Sequence, residues 1–364
     1  MYAGDDDYEY RGEVPPELRR GRSGGPPRGR RDGPYGPPDR PPRRRRRLRR
    51  WALWCAVVLL LPFSVPLVFR GLDADGPSPV PQLLAFLPWF LAPAWLGLVC
   101  AILARRVLVL LWAAAVLGST GWFLQPYGPD APPPRQEPAT ARFRVLTANL
   151  EHGDATGALL GALRRERPHL VSVQECDRRC AAALRTTAVR DAYPYRVVLP
   201  GDSAAAGSAL LSSRPLRTLP PVPGTLTMPG ALVEFGGATV RVQVAHPMPP
   251  LFRSVGPWRR ELGALRDYAA AHRAEPLLMA GDFNASQDHA AFRALLETGL
   301  RDAARLEGRS RTPTWPTATA PPLGAQIDHV LVSEEFEVRD AVFLDLRGSD
   351  HRALLADVKL FAGG

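Results

Sequence analysis

Lysine is almost absent from this sequence of 364 residues: among 46 basic residues, only Lys359 is a lysine. The abundance of arginine is therefore a bias of composition and does not by itself indicate a nucleic-acid surface. It is also local, because the first 50 residues contain 15 basic and 8 acidic residues, whereas residues 142–361 contain 27 and 24. The formal net charge of +10 describes mainly the N-terminal tail and predicts no basic binding face on the C-terminal part.

Cysteine is scarce as well: the chain has four, with no CxxC pair or Cys/His cluster, which excludes a structural zinc site. Cys55 and Cys100 lie in apolar runs, whereas Cys176 and Cys180 lie four positions apart in the C-terminal part. One helical turn separates Cα atoms by about 6 Å, near the upper limit for a disulfide, so a bond would require an irregular helix start. The sequence leaves this bond undecided.

Large aliphatic residues are nearly missing from residues 1–50, which are rich in proline, glycine, arginine and aspartate. Such a segment buries too little apolar surface to offset the entropy of ordering, so we predict a disordered basic tail on the cytoplasmic side.

Charged residues are absent from the three apolar runs that follow, Trp51–Phe69, Gln82–Leu103 and Val107–Leu124. As a helix, each is long enough to cross a hydrocarbon core of about 30 Å. We therefore predict three transmembrane helices within residues 51–124, and a two-span or re-entrant arrangement stays open.

The arginines predict the orientation of these helices. The cluster at residues 43–50 and the pair Arg105 and Arg106 should stay cytoplasmic under the positive-inside rule. Three spans then place the C-terminal part outside the cytoplasm, after a proline-rich linker at residues 125–141. We expect a multi-pass protein of the cell membrane whose partner is the lipid bilayer, and we infer no obligatory protein partner.

Strand patterns alternate with helical patterns from Arg142 onward. Nine apolar segments predict strands at residues 143–148, 169–174, 207–212, 231–235, 239–245, 276–281, 326–333, 338–344 and 353–361. Four segments predict helices at residues 155–166, 177–188, 257–273 and 288–298. This composition of residues 142–361 fits a two-sheet, four-layer α/β sandwich.

Polar residues cluster at the ends of these strands, where side chains can converge without disturbing a core. They are Asn149, Glu175, His246, Asp282, Asn284, Asp328, Asp350 and His351. Carboxylates and amides without cysteine form an oxygen-rich site that suits Mg²⁺ or Mn²⁺. Histidines beside them are suited to proton transfer. The combination predicts attack of an activated water on a phosphate ester.

Each motif alone has an ordinary structural explanation. The segment Gly281–Asn284 is compatible with a simple turn before a helix, and Glu175 with an acid at a helix start. Asp350 and His351 are compatible with a surface pair. The prediction of phosphate-ester hydrolysis therefore rests on the joint occurrence of these motifs in this order.

The ordered series resembles the endonuclease/exonuclease/phosphatase superfamily, which includes pancreatic-type deoxyribonucleases, apurinic endonucleases and inositol-polyphosphate 5-phosphatases. The resemblance covers residues 142–361 and includes the supporting segments at 207–216 and 312–316. With the apolar runs, the chain is similar to bacterial membrane-anchored members of the teicoplanin-resistance type, for which a lipid-linked pyrophosphate substrate is proposed.

The resemblance implies a deoxyribonuclease-like fold and a role for each residue of the series. It implies that Glu175 is the main metal ligand, helped by Asn149 and Asp350. Asp282 would orient or deprotonate the attacking water, and Asn284 would hold the phosphate. It further implies that His351, paired with Asp328, contacts a phosphate oxygen and that His246 acts from the other side. His329 should point to the opposite face of its strand.

Three functions stay open at this point. The first is a Mg²⁺- or Mn²⁺-dependent phosphoesterase at the outer membrane surface, acting on phosphate esters or pyrophosphates such as a lipid-linked pyrophosphate. The second is a membrane-anchored extracytoplasmic nuclease, and the third is an inactive envelope-binding module. The candidate grip on a nucleic acid is Arg305, Arg309, Arg311 and Trp315, and the same residues are equally suited to hold a lipid pyrophosphate head group or simply to close the site.

Overall fold

The computed structural model describes residues 43–133, 135–319 and 323–361. Its first part is helical, with α1 Arg43–Gly71, α2 Val80–Leu84, α3 Leu91–Ala104 and α4 Val107–Phe123, and a 3₁₀ turn at Leu87–Phe90. Most of the predicted disordered tail lies outside the described residues. Its last eight residues are helical, which corrects the prediction there, because arginine is a good helix former and the apolar helix that follows continues backward into the basic cluster.

Three membrane spans were predicted, but only two helices in the described part of the chain have the length and composition to cross a membrane. The segments Arg44–Gly71 and Leu87–Ala104 are long and apolar enough to cross a membrane. The third run forms an apolar helix of 17 residues. It is short because Arg105 and Arg106 interrupt the apolar sequence before it, and it ends at Phe123.

These helices pack against one another through small and aliphatic side chains. Leu60 of α1, Ala94 of α3 and Ala113 of α4 are almost fully buried in one apolar cluster. Trp112 also donates its indole N–H to Ser64 Oγ at 2.9 Å. The three long helices thus form a bundle rather than separate segments.

The remaining elements form two six-stranded sheets with helices outside them. The strands are β1 Ala141–Asn149, β2 Leu170–Gln174, β3 Tyr195–Leu199, β4 Ser208–Ser212, β5 Leu216–Leu219, β6 Gly230–Phe235, β7 Ala238–Ala245, β8 Leu277–Asp282, β9 Arg301–Asp302, β10 Asp328–Val332, β11 Phe336–Asp345 and β12 Arg352–Leu360. The helices are α5 Thr156–Glu166, α6 Arg178–Ala183, α7 Thr187–Ala192, α8 Val255–Ala271, α9 Ala290–Leu296 and α10 Ala303–Leu306, with a 3₁₀ turn at Ala204–Ala206.

The strand order is β11-β12-β1-β2-β4-β3 in one sheet and β5-β6-β7-β8-β10-β9 in the other. Alternate residues of a strand face opposite sides, so Val145 packs between the sheets whereas Leu146 packs under the outer helices. On the second sheet, Trp258 and Leu262 of α8 cover the outer face. The predicted α/β sandwich of two sheets with surrounding helices is confirmed.

Element bounds differ from the predictions where polar residues interrupt a pattern. The predicted helix at 177–188 is two helices, α6 and α7, separated near Thr186. Short strands β3, β5 and β9 were not predicted, because each has a mixed or very short burial pattern.

Cys176 and Cys180 form a disulfide, with a Cα–Cα separation of 5.2 Å. Asp177 is the N-cap of α6 and accepts a hydrogen bond from the Cys180 N–H at 2.7 Å, so Cys176 lies just outside the helix. A disulfide between cysteines four positions apart was expected to require an irregular helix start, and the structure has one.

Candidate active site

The sheet topology brings the predicted residues to one rim. Strands β1 and β2 are parallel neighbours in one sheet, as are β7 and β8 in the other, so their C-terminal ends lie together. Asn149, Glu175, His246 and Asp282 lie at or directly after those four ends. Strands β10 and β12 run antiparallel to their neighbours, and their N-terminal ends therefore carry Asp328 and His351 to the same rim.

Asn149 links the two halves of the site. Its side chain is buried, and its Nδ2 donates to Glu175 Oε1 at 3.1 Å and to Asp282 Oδ2 at 3.1 Å. Its Oδ1 accepts the N–H of Glu151 at 3.0 Å. One amide thus connects a carboxylate of the first sheet to a carboxylate of the second. Ser349 supports it by donating to the Asn149 carbonyl at 2.8 Å.

His351 lies between two buried carboxylates. Its Nδ1 is 2.8 Å from Asp328 Oδ2, and its Nε2 is 3.9 Å from Asp282 Oδ2. Burial opposes the charged imidazolium, but the carboxylates of Asp328 and Asp282 prevail and raise the pKa of His351 to about 10. Burial, with Asp328 as an added negative charge, raises the pKa of Asp282 to about 7 despite the opposing effect of His351.

His246 is also buried, and it stays neutral. Burial, together with the positive charge of His351, lowers the pKa of His246 to about 3. Its Nδ1 has no hydrogen-bond partner among the residues that the structure describes. Asn284 lies nearby and donates its Nδ2 to the Pro247 carbonyl at 3.0 Å, while its own N–H donates to Asp282 Oδ1 at 2.8 Å.

Backbone strain concentrates at this rim. Glu151, His152, Glu175 and Asn284 have φ values of 45°, 59°, 54° and 48°. Residues with a side chain rarely adopt this left-handed region, and such residues persist where the surrounding structure holds them and often lie at functional sites. Glu175 and Asn284, two of these four residues, also line the cavity at the rim.

Two residues at the rim make contacts that were not predicted. His152 donates its backbone N–H to Glu175 Oε2 at 2.9 Å, and its Nε2 lies 3.5 Å from the same oxygen. Its position directly after the first strand end was the available signal. Trp315 donates its indole N–H to Asp350 Oδ2 at 2.8 Å and so fixes that carboxylate.

The arginines of the predicted substrate grip point elsewhere, and that prediction is wrong for all three. Arg311 pairs with Asp288, Arg305 with Asp130 and Arg309 with Asp340. Trp315 alone of the four lines the pocket. His329 behaves as predicted: it points away from the rim, with its Nδ1 2.7 Å from Asp302 Oδ2.

The rim opens into a cavity of about 640 Å³ with carboxylates at its base and apolar side chains around them. Glu175, Asp282 and Asp350 contribute three carboxyl groups, and no arginine or lysine is among the described residues that line it. The imidazolium of His351 offsets only part of this negative charge, so a phosphate would be bound more favourably with a metal cation beside the carboxyl groups.

The donors present fit a divalent metal ion. Ligand atoms of Asp282, Asp328 and His351 lie within 4.8 Å of one another and could hold an ion. Asp328 Oδ1 is buried, and within the described part of the chain it has no hydrogen-bond partner. The Nδ1 of His351 is already paired with Asp328 Oδ2 at 2.8 Å, however, which leaves only its Nε2 for an ion. Oxygen donors nearer the cavity, those of Glu175 and Asp350, suit a hard cation better.

Comparison with known proteins agrees with this geometry. The endonuclease/exonuclease/phosphatase family matches residues 146–351, a range that includes every predicted site residue. The chain belongs to this family. Membership makes it a phosphoric ester hydrolase, in a family whose members generally depend on divalent metals. No curated protein matches the sequence.

Several solved structures share the fold. A humanized TDP2 of D. rerio is 16% identical with a TM-score of 0.51, covering 60% of this chain and 98% of its own. TDP2 of D. rerio complexed with a single-strand DNA product is 17% identical with a TM-score of 0.50, over 60% and 98%. The AP endonuclease LMAP of Leishmania major is 15% identical with a TM-score of 0.50, over 60% and 88%.

Proposed function

We propose that this family member is a Mg²⁺- or Mn²⁺-dependent phosphoesterase at the outer surface of a cell membrane, and that its substrate is a lipid-linked phosphate or pyrophosphate. The observation that carries the proposal is the cavity itself, which is lined by the carboxyl groups of Glu175, Asp282 and Asp350 together with many apolar side chains. An ionic head group with a bound metal ion fits the base, and an apolar chain fits the walls.

The residues at the base of the cavity have different roles in hydrolysis. Glu175, Asn149 and Asp350 would hold the metal ion, which supplies positive charge for the phosphate and for an attacking water. Asp282, with a pKa of about 7, is suited to accept a proton from that water near neutral pH.

The two histidines and Asn284 act on the phosphate. His351 is held as a cation by Asp328 and stabilises charge on a phosphate oxygen. His246 is neutral and buried, so it is suited to hydrogen-bond a phosphate or leaving-group oxygen without adding charge. Asn284 offers an amide on the same side of the cavity.

Exposed apolar surface supports a location in the membrane. Most of the large apolar side chains exposed in the described part of the chain lie between residues 48 and 122, on the bundle α1, α3 and α4. Trp54, Trp95 and Leu108, for example, are 64%, 57% and 81% exposed. A surface of this kind is covered by lipid rather than water.

The ends of α1 and α4 contact the catalytic domain. Asp75, after α1, accepts the N–H of Ala290 at 2.7 Å, and Phe123, at the end of α4, accepts from Arg311 at 2.7 Å. Both helix ends therefore lie on the side of the catalytic domain, and Arg105 and Arg106 lie between α3 and α4.

The outer side is favoured by two observations. The basic cluster at the start of α1 prefers the cytoplasm, which leaves the opposite end of the bundle outside. The disulfide between Cys176 and Cys180 lies in the catalytic domain, and such bonds persist mainly in oxidising compartments.

The test compares two substrates with the full-length chain in detergent. Phosphate release from undecaprenyl pyrophosphate is measured beside nicking of plasmid DNA, with Mg²⁺ and with Mn²⁺. We expect metal-dependent phosphate release that Asp282→Ala and His351→Ala abolish. DNA nicking alone would make the protein an anchored nuclease, and silence with both substrates would favour an inactive binding module.

A further inference from the structure

We infer that the segment between α1 and α3 (residues 73–86, the interhelical segment) is the specificity-determining wall of the catalytic cavity, and that Phe86 contacts the apolar part of an amphiphilic phosphate ester or pyrophosphate. The inference rests on the proposed phosphoesterase function. It adds a determinant that lies outside residues 146–351, the range matched by the family.

The first half of the interhelical segment is fixed to the catalytic domain by charge. Both oxygens of the Asp75 carboxylate accept backbone N–H groups at the start of α9, from Ala290 at 2.7 Å and from Ala291 at 3.2 Å. The guanidinium of Arg293, which is only 1% exposed, donates to Asp73 Oδ1 at 3.0 Å. Buried contacts of this kind hold the segment in one position relative to the rim.

The second half of the segment reaches the cavity. The Pro81 carbonyl lies 2.8 Å from Nε2 of the buried His289, which anchors the turn that follows. Gln82 and Phe86 then line the cavity together with catalytic residues. The membrane-proximal part of the chain thus supplies part of the active-site wall.

Phe86 stands beside the catalytic groups through an aromatic pair. Its ring centroid is 6.1 Å from that of Trp315, at an interplanar angle of 46°. Trp315 in turn donates to Asp350 at 2.8 Å, and its ring lies 6.5 Å from that of His351. An apolar chain that extends from the phosphate on this side of the cavity would therefore lie against Phe86.

Apolar surface continues from the cavity toward the outside. Leu226, Met248 and Ile327 line the cavity with Leu251, which is 61% exposed, and the adjoining Phe252 is 80% exposed. A long apolar chain would cover these side chains, whereas a small soluble ester would contact only the base. Phe86 should therefore affect the preference for substrates with long apolar chains, and it should not affect the reaction at the phosphate.

The experiment uses two pyrophosphates with the same reacting bond and different chains. The full-length protein in detergent is given dimethylallyl pyrophosphate or farnesyl pyrophosphate with Mg²⁺, and phosphate release is measured as kcat and KM. The variants are Phe86→Ala, the conservative Phe86→Leu, and Trp95→Ala as a matched aromatic deletion on the exposed face of α3.

We expect Phe86→Ala to lower the ratio of kcat/KM for farnesyl over dimethylallyl pyrophosphate about tenfold, mainly through KM, as loss of roughly half a buried aromatic contact would. Phe86→Leu should restore most of the ratio, and Trp95→Ala should leave it unchanged. An unchanged ratio in Phe86→Ala, or an equal fall for both substrates, overturns the inference alone. Absence of turnover by the wild type on both substrates overturns the proposed function together with it.

Discussion

Two buried histidine–aspartate pairs of nearly equal geometry allow a sharp test of the catalytic arrangement. His351 Nδ1 is 2.8 Å from Asp328 Oδ2 at the rim, and His329 Nδ1 is 2.7 Å from Asp302 Oδ2 away from it. Asp328 and His329 are consecutive in β10, and their side chains point to opposite faces. The same substitution can therefore be made in a catalytic pair and in a structural pair.

The magnitude follows from the charge that Asp328→Asn removes. At 2.8 Å, two unit charges attract by about 6 kcal/mol at an effective dielectric constant of about 20. Asparagine keeps an acceptor for His351 but loses this attraction, so the imidazolium is less favoured. Because a group that stabilises charge in a transition state contributes about 10²–10³ to kcat, we expect a loss of that size in Asp328→Asn.

The assay measures kcat for phosphate release and the unfolding temperature of both variants. Asp302→Asn should be destabilised as Asp328→Asn is, by about 1–3 kcal/mol, because each leaves a buried histidine with a weaker partner. The value of kcat should fall in Asp328→Asn and stay unchanged in Asp302→Asn. Retention of kcat within about threefold in Asp328→Asn, or an equal loss in Asp302→Asn, would refute the role given to the pair.

Three further predictions concern the parts that hold the site in place. Reduction of the Cys176–Cys180 disulfide should destabilise the catalytic domain by roughly 2 kcal/mol, as its short loop implies, and an unchanged unfolding temperature would contradict this. Arg293→Ala should cost about 1–3 kcal/mol and free the interhelical segment for proteolysis, because the buried guanidinium of Arg293 donates to the Asp288 carbonyl and to the exposed carboxylate of Asp73; resistance equal to wild type would speak against the contact. In intact cells, a membrane-impermeant maleimide should label Glu234→Cys but not Arg106→Cys, and the reverse pattern would contradict the proposed orientation.

The sequence was sufficient for the sandwich and the rim because both depend on local patterns. Apolar strands ending in Asn149, Glu175 and Asp282 predict convergence wherever the strands are parallel neighbours, and the structure has those pairs. The alternation of side chains in β10 was likewise enough to separate Asp328 from His329.

Long-range contacts were not predictable in the same way. Arg311 precedes a tryptophan in a motif-like segment, yet it pairs with Asp288 and with the carbonyls at the end of α4. Nothing local to Phe86 indicates that it lies beside Trp315, which is more than 200 positions later in the chain. Such contacts depend on how the helical bundle meets the catalytic domain, and no periodicity encodes that.

The central claim, hydrolysis of a phosphorylated substrate through a metal ion held by carboxylates, is tested most directly by a metal titration. The initial rate of phosphate release is measured for the full-length chain against free Mg²⁺, after removal of metal with EDTA, and again for Glu175→Gln. We predict no turnover without metal, saturable recovery, and a half-saturating Mg²⁺ concentration at least about tenfold higher in Glu175→Gln, since a neutral amide replaces a ligand charge. Full turnover in EDTA, or a Glu175→Gln curve that coincides with wild type, would contradict the claim.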